Sequence, residues 1–115
     1  MKKERIGSII IWLIGLFLIF SAVGKFIAPV EIIDAFTKWR LLDYILFIGI
    51  TELLIGVCLL IPRTSKLGFF LSCAYFGGAI VIHLSVHEVA LILVPAAILF
   101  LLSIGFLLRS PELFR

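Results

Sequence analysis

Charge is the scarcest property of this sequence. Asp, Glu, Lys and Arg make up 15% of its 115 residues, against about a quarter in ordinary soluble domains. Cysteine is almost absent too. Cys58 and Cys73 stand alone inside apolar runs, form no C-x-x-C pair and have no Cys/His metal spacing around them. They read as small packing residues, because a thiol in apolar surroundings is a poor thiolate. No haem, flavin or iron–sulfur motif is present, so independent electron transfer, or an enzyme acting on its own, is not expected. The basic residues form no stripe, which argues against a nucleic-acid interface. Internal repeats and low-complexity segments are lacking as well.

What is there is apolar. The hydrophobic fraction is 63% and the mean hydropathy +1.32. A soluble fold of this size would expose much of that material, which soluble surfaces rarely do. Lipid removes the difficulty. The length suits one domain, residues 1–115.

Four apolar runs stand out, at residues 6–26, 44–61, 67–86 and 89–108. Each approaches or meets the roughly 20 residues that cross the hydrocarbon layer. A helix satisfies its own backbone there, so the expected fold is all-α: an integral membrane four-helix bundle of up-down-up-down course. Lys2, Lys3 and Arg5 before the first run and Ala22-Val23-Gly24 near its end have the outline of a signal peptide. The apolar stretch is longer than the usual signal core, so it reads as a span. With the N-terminus inside, Lys2, Lys3, Arg5, Arg63, Lys66, Arg109 and Arg115 lie inside, and Lys25, Lys38 and Arg40 outside. That bias favours both chain ends in the cytoplasm.

The connections add detail. Pro62 ends the second run before a tight turn, and His87-Glu88 makes the third and fourth helices antiparallel neighbours. In residues 29–43, Pro29 can open a helix, and Ile32, Ile33, Phe36 and Trp39 recur at helical spacing among charged residues. This predicts a short amphipathic helix on the outer membrane surface, with Trp39 and Tyr44 at headgroup level, either as a structural cap or as a gate. Pro95 is expected to kink the fourth helix, which has no ionisable residue.

Glu52 is the most informative residue. It falls near mid-bilayer, where a charge costs about 2.5–3.5 kcal/mol and faces the bundle interior. Gly49 and Gly56 share its side of the helix and allow a close neighbour. Gly68, Ser72, Tyr75, Ala79 and His83 form one face of the third helix. Ser21 and Lys25 stand one turn apart at the end of the first, where Lys25 could also be a snorkelling anchor. Side chains lean toward their helix N-terminus, so Glu52 leans outward while Lys25 and His83 lean inward. Lys25, Glu52 and His83, with Ser21 and Tyr75, are therefore expected to converge in the outer half, in direct contact or bridged by water. Polar glue fixing helix register is the plainer reading, though such contacts average only about 0.6 kcal/mol. His83 and His87 have a metal-like spacing without a third ligand. His87 and Glu88 are expected to be solvated in their turn.

Ser21-Ala22-Val23-Gly24-Lys25-Phe26 with Ala28-Pro29 resembles the small-Gly-Lys and proline motif of the DoxX and DoxX-like membrane proteins. The stretch from Glu52 to Arg63 is similar to their second helix and following turn, and Gly77-Gly78-Ala79-Ile80-Val81-Ile82-His83-Leu84 to their third. The resemblance implies a multi-pass protein of the bacterial cytoplasmic membrane, and Lys25, Glu52 and His83 match the family's recurrent polar positions. Several relatives are linked to quinone-coupled thiosulfate oxidation or oxidative-stress assemblies. The related MauE-type proteins are tied to disulfide chemistry, for which this chain lacks paired cysteines. Three functions compete: a membrane subunit or adapter that docks a redox protein and holds a quinone, a small proton-coupled transporter, and a structural assembly factor. An acid in the first helix, typical of small multidrug transporters, is missing. The lipid bilayer is the one certain partner, and a homo-oligomer stays open.

Overall fold

A computed structural model of the protein describes residues 2–115. It contains α1 (Lys2–Ile27), α2 (Val30–Lys38), α3 (Ile45–Leu60), α4 (Ser65–Ser85) and α5 (Leu93–Arg109), with short 3-10 turns leading into α3, α4 and α5. No strand occurs among the described residues. Including the 3-10 turns that lead into them, Lys2–Ile27, Leu42–Leu60, Pro62–Ser85 and Val89–Arg109 are each long and apolar enough to cross a membrane. Their outward faces are apolar: Phe20 is 78% exposed and Phe47 70%. Water would penalise such a surface, and hydrocarbon does not.

The first helix starts earlier than its apolar run, taking in the charged turn at Lys2–Arg5. The fourth run begins instead with a 3-10 turn, Val89–Ile92. Pro95 consequently falls in the first turn of α5, where it is buried. The expected kink has no cause there, because a first-turn N–H has no intrahelical acceptor to lose.

The long helices close a ring: α1 packs on α3 and α5, and α4 on the same two. Glycines set how closely they approach. A Cβ at Gly56 of α3 would lie 2.8 Å from the Gly15 carbonyl oxygen of α1, and one at Gly7 of α1 would lie 2.5 Å from the Gly105 carbonyl oxygen of α5. Backbone meets backbone at both crossings, which a larger residue would forbid. The fully buried Ile11, Leu18, Ile55, Leu59, Leu102 and Phe106 fill the centre. Below them the turn Pro111–Phe114 folds back, and the Phe69 ring packs on Phe106 and Phe114 at centroid distances of 5.0 and 5.8 Å. This half is solid.

The other end carries α2. Glu31, Asp34 and Lys38 are exposed, Phe36 is buried, and Ile32 packs toward Gly24. The amphipathic helix expected within residues 29–43 is thus present, with its apolar side on the bundle. Two turns with left-handed residues frame it. Arg40 (φ 61°) closes α2, with Leu41 N–H on Phe36 O and Arg40 N–H on Thr37 O. His87 (φ 64°) closes α4, with Glu88 N–H on His83 O and His87 N–H on Leu84 O. Both are Schellman turns, which reverse the chain sharply and satisfy the last carbonyls.

Candidate functional site

Between the solid half and α2 the helices leave a cavity of about 770 Å³, although α1 and α3 stay in contact beside it. This lies within the usual range for small-molecule sites. Its walls are mostly apolar, and polar side chains reach it in two groups.

The first group joins α1 to α3. The Lys25 Nζ lies 2.6 Å from Glu52 Oε1 and donates to Ser21 Oγ at 2.9 Å. Ser21 Oγ in turn donates to the Glu52 carboxylate at 3.1 and 3.2 Å. The Lys25 and Glu52 side chains are only 11% and 5% exposed. The spacing of Ser21 and Lys25 places both on one face of α1, and Gly49 of α3 packs against Lys25 Cβ and Phe26. The close approach allowed by that glycine brings the two charges into contact. Tyr75 of α4 lines the same cavity within interaction range of Glu52. The ammonium also sits 5.7 Å from the centre of the Phe36 ring of α2.

The second group ties α2 to the end of α4. Glu88 Oε2 accepts from Lys38 Nζ at 2.8 Å, and Oε1 accepts from the Trp39 indole N–H at 2.8 Å. His83 Nδ1 lies 2.9 Å from the same Oε1. An ionised carboxylate can only accept, so Nδ1 carries the hydrogen. These bonds, that from Lys38 foremost, then Trp39 and His83, hold the Glu88 carboxyl down at about 2. The Trp39 ring stands edge-on to His83 at 5.3 Å and to Phe36 at 5.1 Å.

The expected convergence therefore divides. Ser21, Lys25 and Glu52 meet directly, and Tyr75 faces them. His83 lines the cavity but is bonded to Glu88 rather than to Glu52. Glu88 itself corrects the expectation of a solvated turn. Its side chain is 15% exposed, because the left-handed His87 turns it back over the helix end, while His87 stays exposed. Trp39 also lines the cavity. Its tie to Glu88 could not be read from helical spacing, since 49 residues separate the two. The face Gly68–Ser72–Tyr75–Ala79–His83 also divides. Gly68 packs against Leu59 and Cys58, and Ser72 is buried, whereas Tyr75, Ala79 and His83 line the cavity. Cys58 and Cys73 are unpaired, and Cys73 packs on the core.

The arrangement can place a hydrogen-bonding head group against an internally neutralised charge pair inside an apolar chamber. No curated protein and no solved structure matches the chain significantly. A family model does, over residues 9–105, a stretch that holds both polar groups and the cavity between them; this multi-pass membrane chain belongs to the DoxX-like family.

Proposed function

We propose that this protein is a membrane subunit or adapter that holds a lipophilic molecule with a hydrogen-bonding head, of the quinone class, for a redox partner. The observation that carries the reading is the cavity with the Ser21–Lys25–Glu52 group in its mostly apolar wall. Lys25 and Tyr75 offer N–H and O–H donors of the kind a quinone carbonyl accepts. The charge pair neutralises itself, which suits an uncharged head. A quinone would supply the electron-carrying chemistry; the chain's own residues bind the head, orient it and exclude water.

A proton-coupled transporter is the weaker reading, because Glu52 already has a cation at 2.6 Å. An assembly factor would use the same pair as glue alone. As topology, we propose an up-down-up-down course with both ends in the cytoplasm, a single transmembrane unit of the cytoplasmic membrane. The Lys and Arg bias supports that orientation, and the Gly7–Gly105 and Lys66–Glu112 contacts support the course. In this orientation α2 covers the outer end.

Native mass spectrometry of protein released gently from its own membrane is the test. A co-purifying quinone that is lost in Lys25→Met is the expected result. A bare protein across several mild detergents, with no quenching by added quinone, overturns the reading.

A further inference from the structure

We infer that the cavity is entered sideways from the hydrocarbon layer, between α3 and α4 past Gly78, and that its ligand carries a long apolar tail left in that gap. The inference rests on the ligand-binding reading above and specifies the molecule's shape and path.

The two ends of the cavity are shut. At the α2 end stand Phe36, which is buried, Leu41, and Trp39, fixed by its bond to Glu88. At the other end lies the solid core of Leu18, Ile55, Leu59, Leu102 and Phe76. Openings remain only where a lining residue is also exposed, and such residues fall on two flanks. One consists of Phe17 of α1 and Val94 of α5, both bulky. The other consists of Ala74, Gly78 and Val81 of α4.

Helix phase says where the second flank faces. Phe69 marks the side of α4 that packs on α5, through Phe106. At about 100° per residue, Gly78 stands roughly 180° around the helix from Phe69, and Ala74 roughly 140°. Both are turned away from α5. Measured from Gly68, which touches α3, Gly78 stands roughly 80° and Ala74 roughly 120° around, on the outer edge of the α3–α4 seam, and Ile48 and Glu52 of α3 supply the opposite wall. Lower down, Gly68 is in tight contact with Leu59 and Cys58 of α3, whereas a Cβ at Gly77 or Gly78 would meet nothing within 4 Å. So α3 and α4 touch below and part above, leaving a gap edged by the smallest side chains. The flank lies within a span, so hydrocarbon chains reach it.

These facts select a single-tailed amphiphile with a neutral, hydrogen-bond-accepting head. The head sits by Lys25 and Tyr75, and the tail passes Gly78 into the bilayer. A larger residue at Gly78 would obstruct the tail without touching the head site.

The test uses the full chain in nanodiscs with Trp12→Phe, which leaves Trp39 in the cavity wall as the reporter. Quenching is titrated with a benzoquinone bearing a decyl chain and with the same head lacking the chain, both corrected for partitioning into lipid. We expect Gly78→Phe to weaken the tailed quinone at least tenfold and the tail-less one less than twofold. Ala74→Phe, one turn away, gives an independent second obstruction if the first variant does not fold. Equal weakening of both probes, no weakening of either, or the effect appearing only on enlarging Val94 would overturn the sideways path while leaving the binding reading intact. Failure of both probes to quench the unobstructed protein overturns the binding reading, and this inference with it.

Discussion

The indole N–H of Trp39 donates to Oε1 of Glu88 at 2.8 Å, and the same oxygen faces Nδ1 of His83 at 2.9 Å. One carboxylate therefore fastens the segment after α2 to the end of α4, directly over the cavity. Replacing Glu88 by Ala removes the acceptor shared by Lys38, Trp39 and His83. We expect amide hydrogen exchange in residues 30–38 to accelerate about tenfold, the cost of roughly one lost charge-assisted hydrogen bond. Unchanged exchange there would show that Phe36 packing alone holds α2.

The same latch has a pH signature. The Glu88 carboxyl is held at about 2 in the folded protein, below its ordinary 4.5. A depressed carboxyl pKa contributes stability in full above the ordinary value and loses it as pH falls through the folded value. Trp39 fluorescence should therefore be flat on Glu88's account from pH 7 to 5, then change between about 4.5 and 2. A Glu88→Gln variant should lack that acid transition. If both proteins change alike, another group is responsible.

Lys25 and Glu52 are coupled in the opposite sense to an additive pair. Removing either strands a buried charge, so Lys25→Met and Glu52→Leu should each destabilise by about 3 kcal/mol. The double variant should recover most of the loss, because two apolar groups need no partner. Reversible unfolding in detergent would measure the cycle. Additive losses would mean that the two side chains do not depend on each other.

Glycines that look alike in sequence should differ sharply. Gly7→Ala places a Cβ against the Gly105 carbonyl oxygen and should cost about 1–3 kcal/mol by forcing α1 from α5. Gly77→Ala meets empty space and should be neutral or stabilise by up to about 1 kcal/mol through helix propensity. Thermal unfolding of the two variants would compare them. Equal effects would contradict the close crossing at Gly7.

Helix existence was readable in the sequence because the bilayer imposes it. A long apolar run has one way to satisfy its backbone in hydrocarbon, whatever its neighbours do, so the runs at 44–61 and 67–86 become α3 and α4 almost end to end. Glu52 was readable as an inward residue by the same argument, since a mid-span carboxylate must find a partner. That Lys25 would come near it followed from the lean of side chains on each helix, but whether the two pair directly did not, and the same rule brought His83 to Glu52, where the structure bonds it to Glu88 instead.

Tertiary structure decided the rest. Which glycines are contacts and which are gaps depends on where two helix axes cross, and Gly56 and Gly78 carry no mark of the difference in their own neighbourhoods. Glu88 looked like a solvated turn residue because a left-handed residue at His87 reverses the chain, and that conformation leaves little trace in residue type. The cavity itself depends on where helices part beyond their tight crossings, such as that of Gly68 on α3. Sequence by itself determined the solvent, the helices and the inward-facing Glu52, since each answers to the energy of one segment in lipid. The gaps between segments, and so the site, were left to packing, which no segment specifies alone.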